Sequence, residues 1–428
     1  MIVKNYKRLD EQVITTLLDN GLTVHLLPKN NYHKTIGVLY TDFGSIDTKF
    51  IPKGHTDLKS YPPGIAHFLE HTLFIKEKGD VSQEFSKLGA SANAFTSYSK
   101  TAYQFSTTEH VRENVTTLLD FVQQPYFTKE SVEKEKGIIS QEIHLYKDDP
   151  DWILMLGLIG NLYPTHPVSD DIAGTEDSIE KITPELLYEV YDHFYQPGNM
   201  TLLLVGKLDA KELIGLIEEN QLSKSSVPSQ RLLRKEGADN LETIIPYKKI
   251  SMQISKPKAL VGIRGNKYNL RGEERLRHLI LMDLLLNMLF GDTSSTYLAM
   301  YDEGLIDDSF QFNYTFERRF DYISLGGDTS EPERLVDAIK TICFNYEWNP
   351  DINAEHFSII KKSLIGQALL SMNSLEFLAD QFVEHDFEAV SFYDTIDILE
   401  SVSLEEVKSL AASYFLSSNS SFYIIDTE

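Results

Sequence analysis

Two histidines and a glutamate fall within five residues in His67-Phe68-Leu69-Glu70-His71. On a helix, residues four apart project from one face, so the imidazoles of His67 and His71 can bind a single cation. Glu70, one residue before His71, lies near enough to that face to reach a water held there. This is what metal-assisted hydrolysis needs, with Glu70 as the general base. A catalytic zinc takes three protein ligands and keeps a position open, and the third ligand can be a carboxylate from elsewhere. The best donor lies in Glu133-Lys134-Glu135-Lys136-Gly137-Ile138-Ile139-Ser140-Gln141-Glu142. Glu135 and Glu142, about two helical turns apart, line up on one face. Glu142 is expected to bind the metal, and Glu135 to orient His67 or His71 from behind. One Zn2+ per chain follows. The competing reading is a surface helix with two incidental histidines and a solvated glutamate.

These side chains need elements to hold them. Ser60-Tyr61-Pro62-Pro63-Gly64 is a turn, and the helix that follows carries apolar residues at Ile65, Phe68, Leu69, Leu73 and Phe74. Those residues anchor it, leaving His67, Glu70 and His71 to face a cleft. Leu22–Leu26 and Thr35–Tyr40 read as strands, whereas Val111, Val115, Leu118, Leu119 and Val122 share one face of a helix. The chain also repeats itself. Thr183-Pro184 opens a helix running to Tyr195, followed by Gln196-Pro197-Gly198-Asn199 and the apolar strand Leu202–Val205. The same order recurs from Ser403-Leu404 through Phe415 and Leu416-Ser417-Ser418-Asn419 to Phe422–Ile425. Between the copies lies a Ser- and Lys-rich stretch without apolar periodicity. The expected organisation is α+β: a zinc-bearing domain at 1–222, a linker at 223–245 and a homologous metal-free domain at 246–428, each an α/β sandwich.

Composition narrows the partners. The 428 residues carry a formal net charge of −24, the same sign as nucleic acid and anionic membranes, so neither is expected as a partner. Cys343 is the lone cysteine, which excludes an intrachain disulfide and a thiolate metal cluster; its apolar helical setting reads as a buried structural thiol. The first twenty residues lack the uninterrupted apolar core of a signal peptide, and Leu276–Phe290 is too short and too charged to span a bilayer. A soluble, cytoplasmic protein is expected.

With these residues in hand, the chain resembles the pitrilysin, insulin-degrading enzyme and mitochondrial processing peptidase family of inverted-motif zinc peptidases. The resemblance rests on Gly64 through His71, Gly89-Ala90-Ser91-Ala92-Asn93-Ala94-Phe95-Thr96, the Glu135–Glu142 pair, and Gly174-Thr175 through Tyr195-Gln196-Pro197-Gly198-Asn199-Met200. It implies two homologous halves forming one side of a clamshell, closed by a fused second copy or a separate subunit. With one pair of halves, this chain resembles the zinc-bearing subunit of a bacterial two-chain peptidase. A homologous partner subunit is expected, or a homodimer in its absence. The resemblance further implies that Asn93, Ala94, Phe95 and Thr96 accept the peptide substrate as an added strand. Active members commonly carry an Arg and a Tyr, seven apart, in the second half; aligned on Glu303-Gly304-Leu305, those positions hold Met300 and Asp307. Asp283, Leu286 and Asn287 fall where a duplicated metal motif would lie. The alternative function is a non-catalytic scaffolding or substrate-binding subunit of a peptidase complex.

Overall fold

The computed structural model describes residues 1–224, 243–267, 269–384 and 390–428. The expected linker lies, from 225 to 242, outside them. Two compact units emerge, each built on its own sheet.

In the first unit seven strands form one sheet: β1 (Ile2–Tyr6), β2 (Glu11–Leu17), β3 (Thr23–Pro28), β4 (Thr35–Thr41), β5 (Ser91–Thr96), β6 (Thr101–Thr107) and β7 (Met200–Gly206), in the order β1-β2-β3-β7-β4-β6-β5. Strand β7 runs parallel to β3 and antiparallel to β4. Alternation along the strands assigns the two faces. On one face Leu39, Tyr103, Phe105, Leu202 and Leu204 share a core with Phe68 and Leu69 of α1 (Ile65–Leu73), Val115 and Leu118 of α2 (Val111–Val122), and Val132 and Ile139 of α3 (Lys129–Lys147). On the other face the helix Leu375–Glu384 packs against β4 and β7. There Ile36, Val38, Tyr40, Leu203 and Val205 are buried outside the first core.

The second unit holds five strands, β8 (Tyr247–Met252), β9 (Lys258–Arg264), β10 (Gln311–Glu317), β11 (Phe320–Asp328) and β12 (Ser420–Thr427), ordered β8-β12-β9-β11-β10. Strand β8 is parallel to β12, and the other pairings are antiparallel. This repeats β3-β7-β4-β6-β5 in order and sense, so the two halves share one topology, as the sequence repeat implies. The repeated caps form as well: the Thr183 hydroxyl accepts from the Leu186 amide, and Ser403 makes a capping box with Glu406. The helix Pro150–Leu162 packs on β9 and β12. It comes close enough that a Cβ on Gly262 would meet Leu158, and one on Gly157 the Tyr423 ring.

The compact units therefore differ from the linear division at residue 222. Residues 145–169 belong with the second unit, and 372–384 with the first. Cys343 is fully buried, and that burial pushes its thiol well above the usual range. Among the described residues no helix is long and apolar enough to cross a membrane.

Candidate metal centre

The metal-motif helix α1 begins at Gly64, whose φ of 89° lies in the left-handed region. A Cβ there would sit 2.5 Å from the Ala173 carbonyl oxygen. The contact is reciprocal: Gly174, also left-handed, approaches the Pro63 carbonyl, and Ser178 Oγ donates to that same oxygen at 2.8 Å. The Gly174-Thr175 segment thus braces the start of α1, and Ile65, Phe68, Leu69 and Leu73 bury its other side.

Helix α3 brings two of its glutamates, Glu135 and Glu142, to the histidines of α1. Glu142 Oε1 stands 3.7 Å from His67 Nε2, and Glu142 Oε2 stands 3.8 Å from His71 Nε2. One donor atom from each of the three residues lies within 4.8 Å of the others. Tetrahedral donors around zinc stand about 3.3 Å apart, so small side-chain rotations would ring a cation. The donor set suits zinc, with two imidazoles and a carboxylate. No second group of this kind occurs among the described residues.

Glu135, two turns earlier on α3, is buried and pairs with His71 Nδ1 at 2.9 Å. Of the two histidines, it is His71 that Glu135 meets. The His71 Nε2 is then directed toward Glu142. Burial lowers the His71 pKa, but the Glu135 hydrogen bond and the charges of Glu70, Glu135 and Glu142 outweigh it and raise the net value. His67 goes the other way. Burial, reinforced by His71, lowers it to about 3, so its imidazole is neutral at ordinary pH.

The expectation that all three motif residues face an open cleft needs correction. His67 and Glu70 are 9% and 7% exposed; His71 and Glu142 are more open. Glu70 Oε2 accepts a hydrogen bond from Thr96 Oγ1 at 2.8 Å. Burial raises the Glu70 pKa; His71 and Thr96 pull it down, and Glu142 pushes it up again.

Strand β5, with Asn93, Ala94, Phe95 and Thr96, is the last of its sheet and pairs only with β6 among the described residues. It also packs against α1. Ala92, Ala94 and Thr96 share the face toward that helix, whereas Asn93 and Phe95 take the opposite one. Sequence reasoning missed the buried hydroxyl pair Tyr103 and Tyr195, 2.8 Å apart, which lies close enough to Glu70 to feel its charge. No local pattern marks it, since the two residues are brought together only by packing. In the second unit Met300 is buried in the core. Asp307 pairs with Lys256 at 2.5 Å, which with Ser309 lowers its pKa to about 2. Asn287 donates to Asp283 at 2.7 Å, and Leu286 is buried.

Comparison with known proteins gives the family. Residues 50–176 match the family model described as Insulinase (Peptidase family M16), and residues 181–364 match Peptidase M16 inactive domain. YmfH of Bacillus subtilis (strain 168), described as an uncharacterized zinc protease, is 44% identical over 405 residues, covering 95% of this chain and 94% of that one. An M16-like protein from Alicyclobacillus acidocaldarius superposes with a TM-score of 0.91 at 35% identity, covering 98% and 99% of the two chains. Pitrilysin matches in fold alone, with a TM-score of 0.73 at 17% identity over 99% of this chain and 46% of that one. The chain belongs to the insulinase family, peptidase family M16.

Proposed function

We propose that this chain is the zinc-bearing subunit of a metalloendopeptidase that hydrolyses peptides or short unfolded polypeptides in the cytoplasm. His67, His71 and Glu142 would hold one zinc ion. The observation that carries the reading is the approach of both imidazole Nε2 atoms to the two oxygens of one carboxylate, beside a buried glutamate. A bound zinc supplies Lewis acidity, lowering the pKa of water and polarising a carbonyl.

The chain's own residues would do the rest. Glu70, its proton affinity increased by burial, takes the proton of the attacking water and passes it to the leaving amine. Glu135 fixes the tautomer of His71 by accepting the Nδ1 proton. The free edge of β5 at Asn93–Thr96 receives the substrate main chain as an added strand, which gives affinity without strict sequence preference. A homologous partner subunit contributes the electrophilic groups that Met300 and Asp307 do not provide; a homodimer forms in its absence.

Metal content measured beside peptide cleavage tests the assignment. Glu70→Gln retains zinc and loses hydrolysis, whereas His67→Ala and Glu142→Gln lose zinc. Stoichiometric zinc retained without His67 would sink the ligand set.

A further inference from the structure

Glu70 has two carboxylate oxygens, and the structure treats them differently. Oε2 accepts from Thr96 Oγ1 at 2.8 Å, and among the described residues Thr96 is the hydrogen-bond donor to this carboxylate. A general base needs one oxygen aimed at the proton it takes, and a carboxylate free to rotate about its last bond spends much of its time misaligned. Holding one oxygen fixes the plane of the group and leaves the other available.

The donor is itself held by backbone. Thr96 ends β5 and pairs across the hairpin with Thr101. The following turn is closed by the Ser97 amide donating to the Lys100 carbonyl at 2.8 Å. It is also tied down from outside the hairpin. The Ser45 amide donates to the Ser97 carbonyl at 3.1 Å, and the Ile46 amide to the Tyr98 carbonyl at 3.0 Å. Gly44 lies so close that a Cβ would stand 2.5 Å from Tyr98 backbone atoms. The hydroxyl is therefore placed by main-chain geometry on both sides of the turn, and strand alternation turns it toward α1.

From this geometry we infer that Thr96 is the positioning residue of the catalytic base: its hydroxyl fixes the orientation of Glu70 and couples that orientation to the strand that receives the peptide. The inference rests on the peptidase reading and adds to it. Thr96 contributes through its side chain as well as its main chain, and pairing of a substrate along β5 bears directly on the alignment of the base.

The test uses Thr96→Val, which keeps the shape and removes the donor, and Thr96→Ser, which keeps the donor. The full chain is assayed on a quenched fluorescent peptide in the form, alone or with its partner subunit, in which the wild type turns over. Zinc content is measured alongside. A hydrogen bond to a charged group is worth about 1.5–3 kcal/mol, so kcat of Thr96→Val should be about 10- to 100-fold lower. KM should stay within about twofold and zinc at the wild-type level, and Thr96→Ser should recover most of the loss. A general loosening of the strand would raise KM and would not be rescued by serine, so that result overturns the positioning role. So does wild-type kcat in Thr96→Val, or loss of zinc from it. If instead no form of the wild type shows turnover that Glu70→Gln abolishes, the peptidase reading itself fails, an outcome distinct from the others.

Discussion

At the scale of single residues, the two histidines of the site are tuned in opposite directions. His67 is neutral without help, whereas the carboxylates around His71 hold its proton more tightly than the ordinary 6.5. A ligand must shed its proton to bind metal. Below the raised pKa of His71, zinc competes with that proton, so affinity should strengthen by up to about tenfold per pH unit as pH rises and level off above it. Competition against a chelator of known affinity between pH 6 and 8 reads this directly; an affinity independent of pH over that window would contradict the assignment. Glu135→Gln removes the charge that supports His71. It should weaken zinc by about 10- to 100-fold, the usual cost of losing such a partner, and flatten the pH dependence. Much of this site is legible in the sequence, because four-residue spacing on a helix and two-turn spacing on another are local facts. The choice of His71 by Glu135, and the bond from Thr96 to Glu70, depend on how α1, α3 and β5 cross, which no local spacing encodes.

At the scale of elements, the caps, strands and closing helices follow local rules, and the repeated cap-helix-turn-strand unit makes the duplication legible in the sequence. The assignment of the helices Pro150–Leu162 and Leu375–Glu384 to units is another matter. Each sits in the sequence beside one sheet and packs on the other. An apolar helical stripe states that it will be buried and not against what. The consequence is measurable. A fragment ending at residue 222 keeps every strand of the first sheet but lacks Leu375–Glu384, whose main chain is also held by Tyr40 and Lys100 through the Phe382 and Val383 carbonyls. It would expose Ile36, Val38, Tyr40, Leu203 and Val205. At about 1.5–3 kcal/mol for each fully buried side chain, the loss rivals the about 5–15 kcal/mol that stabilises a whole domain. The fragment should be insoluble, or soluble but without a cooperative unfolding transition, and coexpression with the remainder of the chain should recover it. A monomeric 1–222 fragment that unfolds cooperatively would show that the exchanged helix is dispensable.

At the scale of the whole molecule, the two halves share a sheet topology and differ in chemistry. The first gathers two imidazoles and two glutamates at one site. The second presents, at the positions where the family resemblance leads one to expect an Arg and a Tyr, a methionine buried in the core and an aspartate neutralised by Lys256. Neither can donate a hydrogen bond to the oxyanion that develops when a peptide carbonyl is attacked. Removing a single oxyanion donor costs about 10²–10³ in turnover, and the proposed function assigns two such donors to the partner subunit. On that proposal a second copy of this chain brings the same Met300 and Asp307, so a homodimer does not supply them. The purified chain, zinc-loaded, should therefore cleave a quenched fluorescent peptide at least about a hundredfold more slowly than it does with a homologous subunit that carries both groups. Copurification from the native host followed by mass spectrometry identifies that subunit. Turnover by the single chain equal to that of the two-chain form, and abolished by Glu70→Gln, would show that this half-site suffices by itself and that its electrophile comes from elsewhere in the same chain.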